Sequence, residues 1–171
     1  PDEGEPPLAV SPDKNSPTAP KSSRDWPPGN LPFLEISAFP VEGDRANGFS
    51  LHQHKDWLLA HILQLPIGSR LFPEESVREN TLEIYLAEKQ DAERLQRVKF
   101  YGTGKFIFGD CGWSRLPGWE GAFYPQVLNS ILPKAVAFGF QYFKECLGHS
   151  GKAWFHVEIG NIVGCQRKVE A

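Results

Sequence analysis

The sequence contains no methionine, only three cysteines, and no apolar run approaching the roughly 18 to 20 residues that cross a bilayer. With Pro1 in first position, the chain reads as a processed product or a piece of a longer protein, and no basic-then-apolar segment resembles a signal peptide. Cys111, Cys146 and Cys165 are odd in number and widely spaced, with no CxxC. That pattern excludes a disulfide scaffold and a four-thiolate zinc site, and predicts buried thiols in a reducing compartment, the cytoplasm or nucleus. Excess positive charge is lacking too. Against 18 basic side chains stand 21 acidic ones, a formal charge of -3, so nothing draws the whole molecule to an anionic surface. Contact with nucleic acid would need a local patch, and no membrane partner is expected. There is no internal repeat.

Proline, by contrast, is abundant and unevenly placed: ten of the fifteen fall before Val41. From Pro1 to about Asn30 the only sizeable apolar groups are Leu8, Val10 and Trp26, too few to offset the entropy of ordering the segment. Residues 1–30 therefore read as a Pro-rich extended arm, flexible or ordered by a partner, and 31–171 as a single domain.

Within the domain, Leu31, Phe33, Leu34, Ile36 and Phe39 form an apolar stretch between Pro32 and Pro40, which suits an edge strand or a packed arm. Ser50 precedes Leu51, Lys55, Leu58, Ile62 and Leu65 at helical spacing, and Pro66 with Gly68 ends the run, predicting a helix over 51–64. Leu82, Ile84 and Leu86 alternate with Glu83 and Tyr85 as in a half-buried strand. The polar run 88–96 reads as a loop or a short exposed helix. Val98 with Phe100 and Phe106 with Phe108 flank Gly102-Thr103-Gly104, a hairpin pattern. From Pro125 a helix carries Val127, Leu128, Ile131, Leu132, Ala135, Val136, Phe138 and Phe143, with kinks expected at Pro133 and Gly139 and burial nearly all round. Ala153, Phe155, Val157 and Ile159 alternate in a strand, and Ile162 to Cys165 predicts another after the Gly160-Asn161 turn. Strand runs outnumber strand-helix alternations. The predicted class is α+β, a small mixed or antiparallel sheet packed on two helices.

Three constellations bear on chemistry. His52, His54 and His61 share the first helix, but no pair stands four apart and no HExxH is present, so solvated or hydrogen-bonded histidines are expected and no metal site. Lys99, Tyr101 and Lys105 interleave basic and aromatic groups on the hairpin, the mixture in which bases stack on rings while lysines hold phosphates. Trp113, Trp119 and Phe123 cluster beside glycine and proline in a loop too apolar for a plain linker, a composition typical of interface hot spots.

Two resemblances add enzymatic alternatives. Cys111 in Gly109-Asp110-Cys111-Gly112-Trp113, with His156 in Phe155-His156-Val157-Glu158-Ile159-Gly160-Asn161, loosely resembles the Cys and His of the NlpC/P60 and CHAP peptidases. That likeness implies a thiolate activated by a strand-borne imidazole in a Cys-His hydrolase. The C-terminal third resembles the Schlafen family in Leu132-Pro133-Lys134-Ala135-Val136-Ala137-Phe138, Gly151-Lys152-Ala153-Trp154-Phe155 and Ile162-Val163-Gly164-Cys165-Gln166-Arg167-Lys168. Upstream, Glu79-Asn80-Thr81-Leu82-Glu83-Ile84 is similar to that family's acidic segment. The resemblance implies a metal-dependent endoribonuclease lobe in which Glu79, Glu83 and Glu158 hold Mg²⁺ or Mn²⁺.

Against these, the leading expectation is a non-catalytic interaction module or subunit of a larger assembly. Its protein partner is expected at the N-terminal arm and Trp-rich loop, with RNA as a further contact and no cofactor unless the nuclease alternative holds.

Overall fold

The structure, a computed structural model, describes residues 26–29, 31–41, 50–65, 71–76, 80–86, 95–112, 122–123, 126–162 and 166–167. Strand β1 (Phe33–Pro40) is followed by helix α1 (Leu51–His61), which tightens into a 3₁₀ turn over Ile62–Gln64. Next come β2 (Leu71–Ser76), β3 (Thr81–Leu86), β4 (Gln96–Tyr101), β5 (Phe106–Asp110) and the short β6 (Ala122–Phe123). Helix α2 (Gln126–Leu147), β7 (Ala153–Gly160) and β8 (Gln166–Arg167) follow. Six strands form one sheet in the order β2-β3-β4-β5-β1-β7, every pair antiparallel, while β6 and β8 pair in parallel. The fold is α+β.

The apolar periodicities decide which way each element faces. Leu34, Ile36 and Ala38 of β1, Leu82 and Ile84 of β3, Val98 and Phe100 of β4, and Phe106 and Phe108 of β5 all bury toward the helices. Helix α1 contributes Leu51 and Leu58; α2 contributes Ile131, Ala135, Phe138, Tyr142, Phe143 and Cys146. At the centre, Phe106 meets Phe138 edge-on at 5.5 Å and Tyr142 at 5.9 Å, while Phe100 lies 5.3 Å from Tyr142. Such offset and T-shaped pairs add specificity to the burial of large apolar area. Removal from water pushes the Tyr142 hydroxyl well above the ordinary tyrosine range, a mark of how dry this core is.

Four expectations need correction. First, β1 is an interior strand between β5 and β7, because its prolines flank the ladder: Pro32 precedes it and Pro40 lies beyond the last pair with β5, Ala38–Phe106. Second, α2 is buried along one stripe only. Asn129, Pro133, Lys134, Ala137, Lys144 and Glu145 are exposed, so the carbonyl that Pro133 leaves without an amide partner faces water. Third, the short strand described after β7 is β8, Gln166–Arg167, paired with β6; of the expected run Ile162 to Cys165, residues 163–165 lie outside the described set. Fourth, Trp26 packs on the sheet, 5.4 Å from the Phe33 ring, so ordered packing begins inside the segment read as an arm. A Cβ on Gly109 would come within 2.6 Å of the Trp26 ring, and only glycine leaves room for it. Residues 1–25, and the polar run 88–94, lie outside the described set.

The hairpin matches its reading: Gly104 takes φ +85°, and Tyr101 N–H donates to Lys105 C=O at 2.9 Å.

Candidate functional site: the second sheet face and the edge of β7

Because successive strand residues point to opposite faces, burying one set toward the helices commits the other to the second face. Register places Tyr85, Arg97, Gly109, Glu35 and Glu158 in one row across that face, and Glu83, Lys99, Ile107, Ser37 and His156 in the next. Arg97 organises its centre. The guanidinium bonds Glu35 at 3.0 Å, lies 3.7 Å from Glu83, and is capped by the Trp26 ring at 4.5 Å. Sequence reading missed Arg97 and Glu35, although Arg97, Lys99 and Tyr101 share the two-residue period of β4.

At the hairpin end, Lys99 and Lys105 place their ammonium groups 5.3 and 5.8 Å from the ring of Tyr101. This triad, expected from sequence, is thus brought together by the fold.

Along the β7 edge, exposed apolar side chains that the sequence did not announce stand on both faces of the sheet. Among the described residues six large hydrophobic side chains are exposed: Phe39, Leu63, Phe140, Trp154, Val157 and Ile162. Five of them gather at β7. Trp154, 61 % exposed, and Val157 lie on it; Phe39 is the register partner of Trp154; Phe140 packs on Phe155 at 5.5 Å; Ile162 follows two residues after the strand. Scattered single hydrophobics are normal on a surface, whereas a cluster marks a contact site.

The backbone of β7 completes the picture. Val41 N–H donates to Lys152 C=O at 2.8 Å, and these two continue the β1–β7 register. Even-numbered residues of β7 therefore bond toward β1, and Phe155, Val157 and Ile159 aim their N–H and C=O groups outward. Among the described residues no strand pairs with that outer edge.

The other sequence candidates are dispersed. Glu83 on β3 and Glu158 on β7 share the face but are four strand spacings apart, about 19 Å, far beyond the reach of one metal ion. Glu83 instead sits between Arg97 and its cross-strand neighbour Lys99; Glu79 lies outside the described residues. Cys111 is fully buried, its thiol donating to Leu95 C=O at 3.1 Å, while His156 is exposed two strands away and several residues along, roughly 16 Å by strand geometry. Cys146, also buried, has its thiol pushed up to about 12 by desolvation and by Glu145. His61 Nδ1–H donates to Trp57 C=O (2.8 Å) and the imidazole stacks on the Trp57 ring, and His52 lies 3.5 Å from Glu75. Among the described residues no group of three His, Cys, Asp or Glu side chains is placed to hold a metal, and no helix is long and apolar enough to cross a membrane. Trp113 and Trp119 lie outside the described residues, and Phe123 is described only as backbone in β6.

Comparison with known proteins gives no match to a family model, to a curated protein or to a solved structure.

Proposed function

We propose that this chain is a non-catalytic binding module that engages a protein through the β7 end of its sheet. The observation that carries this reading is the gathering of Phe39, Phe140, Trp154, Val157 and Ile162 around one exposed edge strand. A row of outward backbone donors and acceptors flanked by aromatic anchors is how sheet edges recruit partners by strand addition. The Trp-rich loop remains a second proposed contact, on composition alone.

The test combines two arms. A photo-crosslinking side chain at position 154 should capture a protein at a discrete site, and the same group at Asn129 on the exposed side of α2 should not. In parallel, the purified chain should leave structured RNA intact with Mg²⁺ or Mn²⁺. RNA turnover abolished by Glu83→Gln, with circular dichroism unchanged, would overturn the reading and promote the Schlafen-like nuclease.

A second reading, contact with single-stranded RNA, is favoured by the convergence of Lys99 and Lys105 on the Tyr101 ring. A stacked base on Tyr101 would present its phosphates to both ammonium groups. Affinity should then fall steeply with salt as counterions are released, and Tyr101→Ala should weaken it; no binding at low salt would reject this contact.

A further inference from the structure

We infer that the partner of β7 is a second copy of the same chain, joined antiparallel about a two-fold axis through Val157. The inference rests on the binding-module reading and names its partner.

The argument starts from β7 itself, Ala153-Trp154-Phe155-His156-Val157-Glu158-Ile159-Gly160. Folded against a copy of itself with Val157 opposite Val157, the strand places Phe155 opposite Ile159, His156 opposite Glu158, and Trp154 opposite Gly160. Each match occurs twice, as two-fold symmetry requires. The pairs Val157–Val157, Phe155–Ile159 and Ile159–Phe155 involve only residues whose backbone groups aim outward, so each pair exchanges two N–H···O bonds. On the helix side, Val157 and the Phe140–Phe155 pair would be covered by their symmetry mates. On the second face, the imidazole N–H of His156 would meet a carboxylate. Trp154, the most exposed aromatic among the described residues, would reach the position opposite Gly160, over which the Phe33 ring already lies, giving a ring-on-ring contact between copies.

Register is selected by charge. Sliding by two residues in one direction sets Glu158 opposite Glu158; in the other it sets His156 opposite His156 and Trp154 opposite Glu158. Of these three registers, only the one centred on Val157 sets His156 opposite Glu158 in both copies, and like charges directly opposite each other are destabilising.

Sedimentation-velocity centrifugation of the full chain over a dilution series tests this. The expected result is a reversible dimer with a dissociation constant on the order of micromolar. Val157→Pro deletes an outward amide that β1 does not use, so the monomer should keep its circular dichroism and melting temperature while dimer affinity falls about a hundredfold. His156→Glu should weaken the dimer about tenfold, and adding Glu158→Lys should restore it to within about threefold, a rescue that a merely folded surface would not show. A chain that stays monomeric to its solubility limit, or a dimer that survives Val157→Pro, overturns the inference. If crosslinking at position 154 then captures a different protein, the binding-module reading stands and self-pairing falls.

Discussion

The two edges of the sheet are built in opposite ways. At β2, Gly102 N–H donates to Asn80 C=O, and this register directs the backbone of Leu71, Pro73 and Glu75 away from β3. Proline therefore stands at the centre of that outer edge, where its missing N–H interrupts a would-be ladder. Glu75 is further bound to α1, through the Lys55 ammonium and with His52 at 3.5 Å. At β7 the corresponding positions, Phe155, Val157 and Ile159, keep every outward donor, and the nearby surface is aromatic. Natural sheets blunt their edges with proline, charge and covering elements. One edge here follows that rule and the other departs from it, and the departure is what points to function.

The largest predicted effect falls on what both edges share. Phe106→Ala in the aromatic core should cost about 3 to 5 kcal/mol, read by denaturant unfolding, and should loosen both ends together. Trp26→Ala, uncapping Arg97 and Gly109, should cost about 1 to 2 kcal/mol, whereas removing residues 1–25 while keeping Trp26 should leave the melting temperature nearly unchanged. Pro73→Val sharpens the contrast: in a Val157→Pro background it should create weak association at the β2 edge, and no association at any concentration would show that proline is not what closes it.

Smaller still is the pH effect at β2. The hydrogen bond from Lys55 holds the Glu75 carboxyl below its ordinary range against the opposing effect of partial burial. A carboxylate depressed in the folded state contributes stability that is present above its unfolded pKa and lost as pH falls through the folded value. Glu75→Gln should therefore lower stability slightly at neutral pH, where that contribution is present, and make no difference once pH has fallen below the folded value, so that the acid limb is flatter. Trp154→Ser should be smallest for stability, within about 0.5 kcal/mol, while still weakening association.

Much of this was readable before any coordinates. Helix α1 was legible because Leu51, Leu58, Ile62 and Leu65 keep helical spacing, and β3, the β4–β5 hairpin and β7 because each strand alternates over five to eight residues between clear turn signals. The whole strand β2 was missed: Leu71-Phe72-Pro73-Glu74-Glu75-Ser76 carries the marks of an edge, and these weaken the alternation that announces a strand. Strand order was not legible either. Phe39 meets Trp154 only because a long-range pairing inserts β1 between β5 and β7, and local periodicity holds no information about that. The same limit explains the acids: Glu83 and Glu158 each sit on the strand face that sequence assigns them, but only the sheet order sets the distance between them.

The measurement that bears most directly on the account is amide-resolved hydrogen exchange of β7 as a function of protein concentration. The even-numbered amides Trp154, His156 and Glu158, bonded to β1, should be protected throughout, and Phe155, Val157 and Ile159 should exchange fast when dilute and gain protection as concentration rises. Slow exchange of Val157 at every dilution would mean the edge is already covered within one chain; fast exchange at every concentration would mean that no second copy pairs with it.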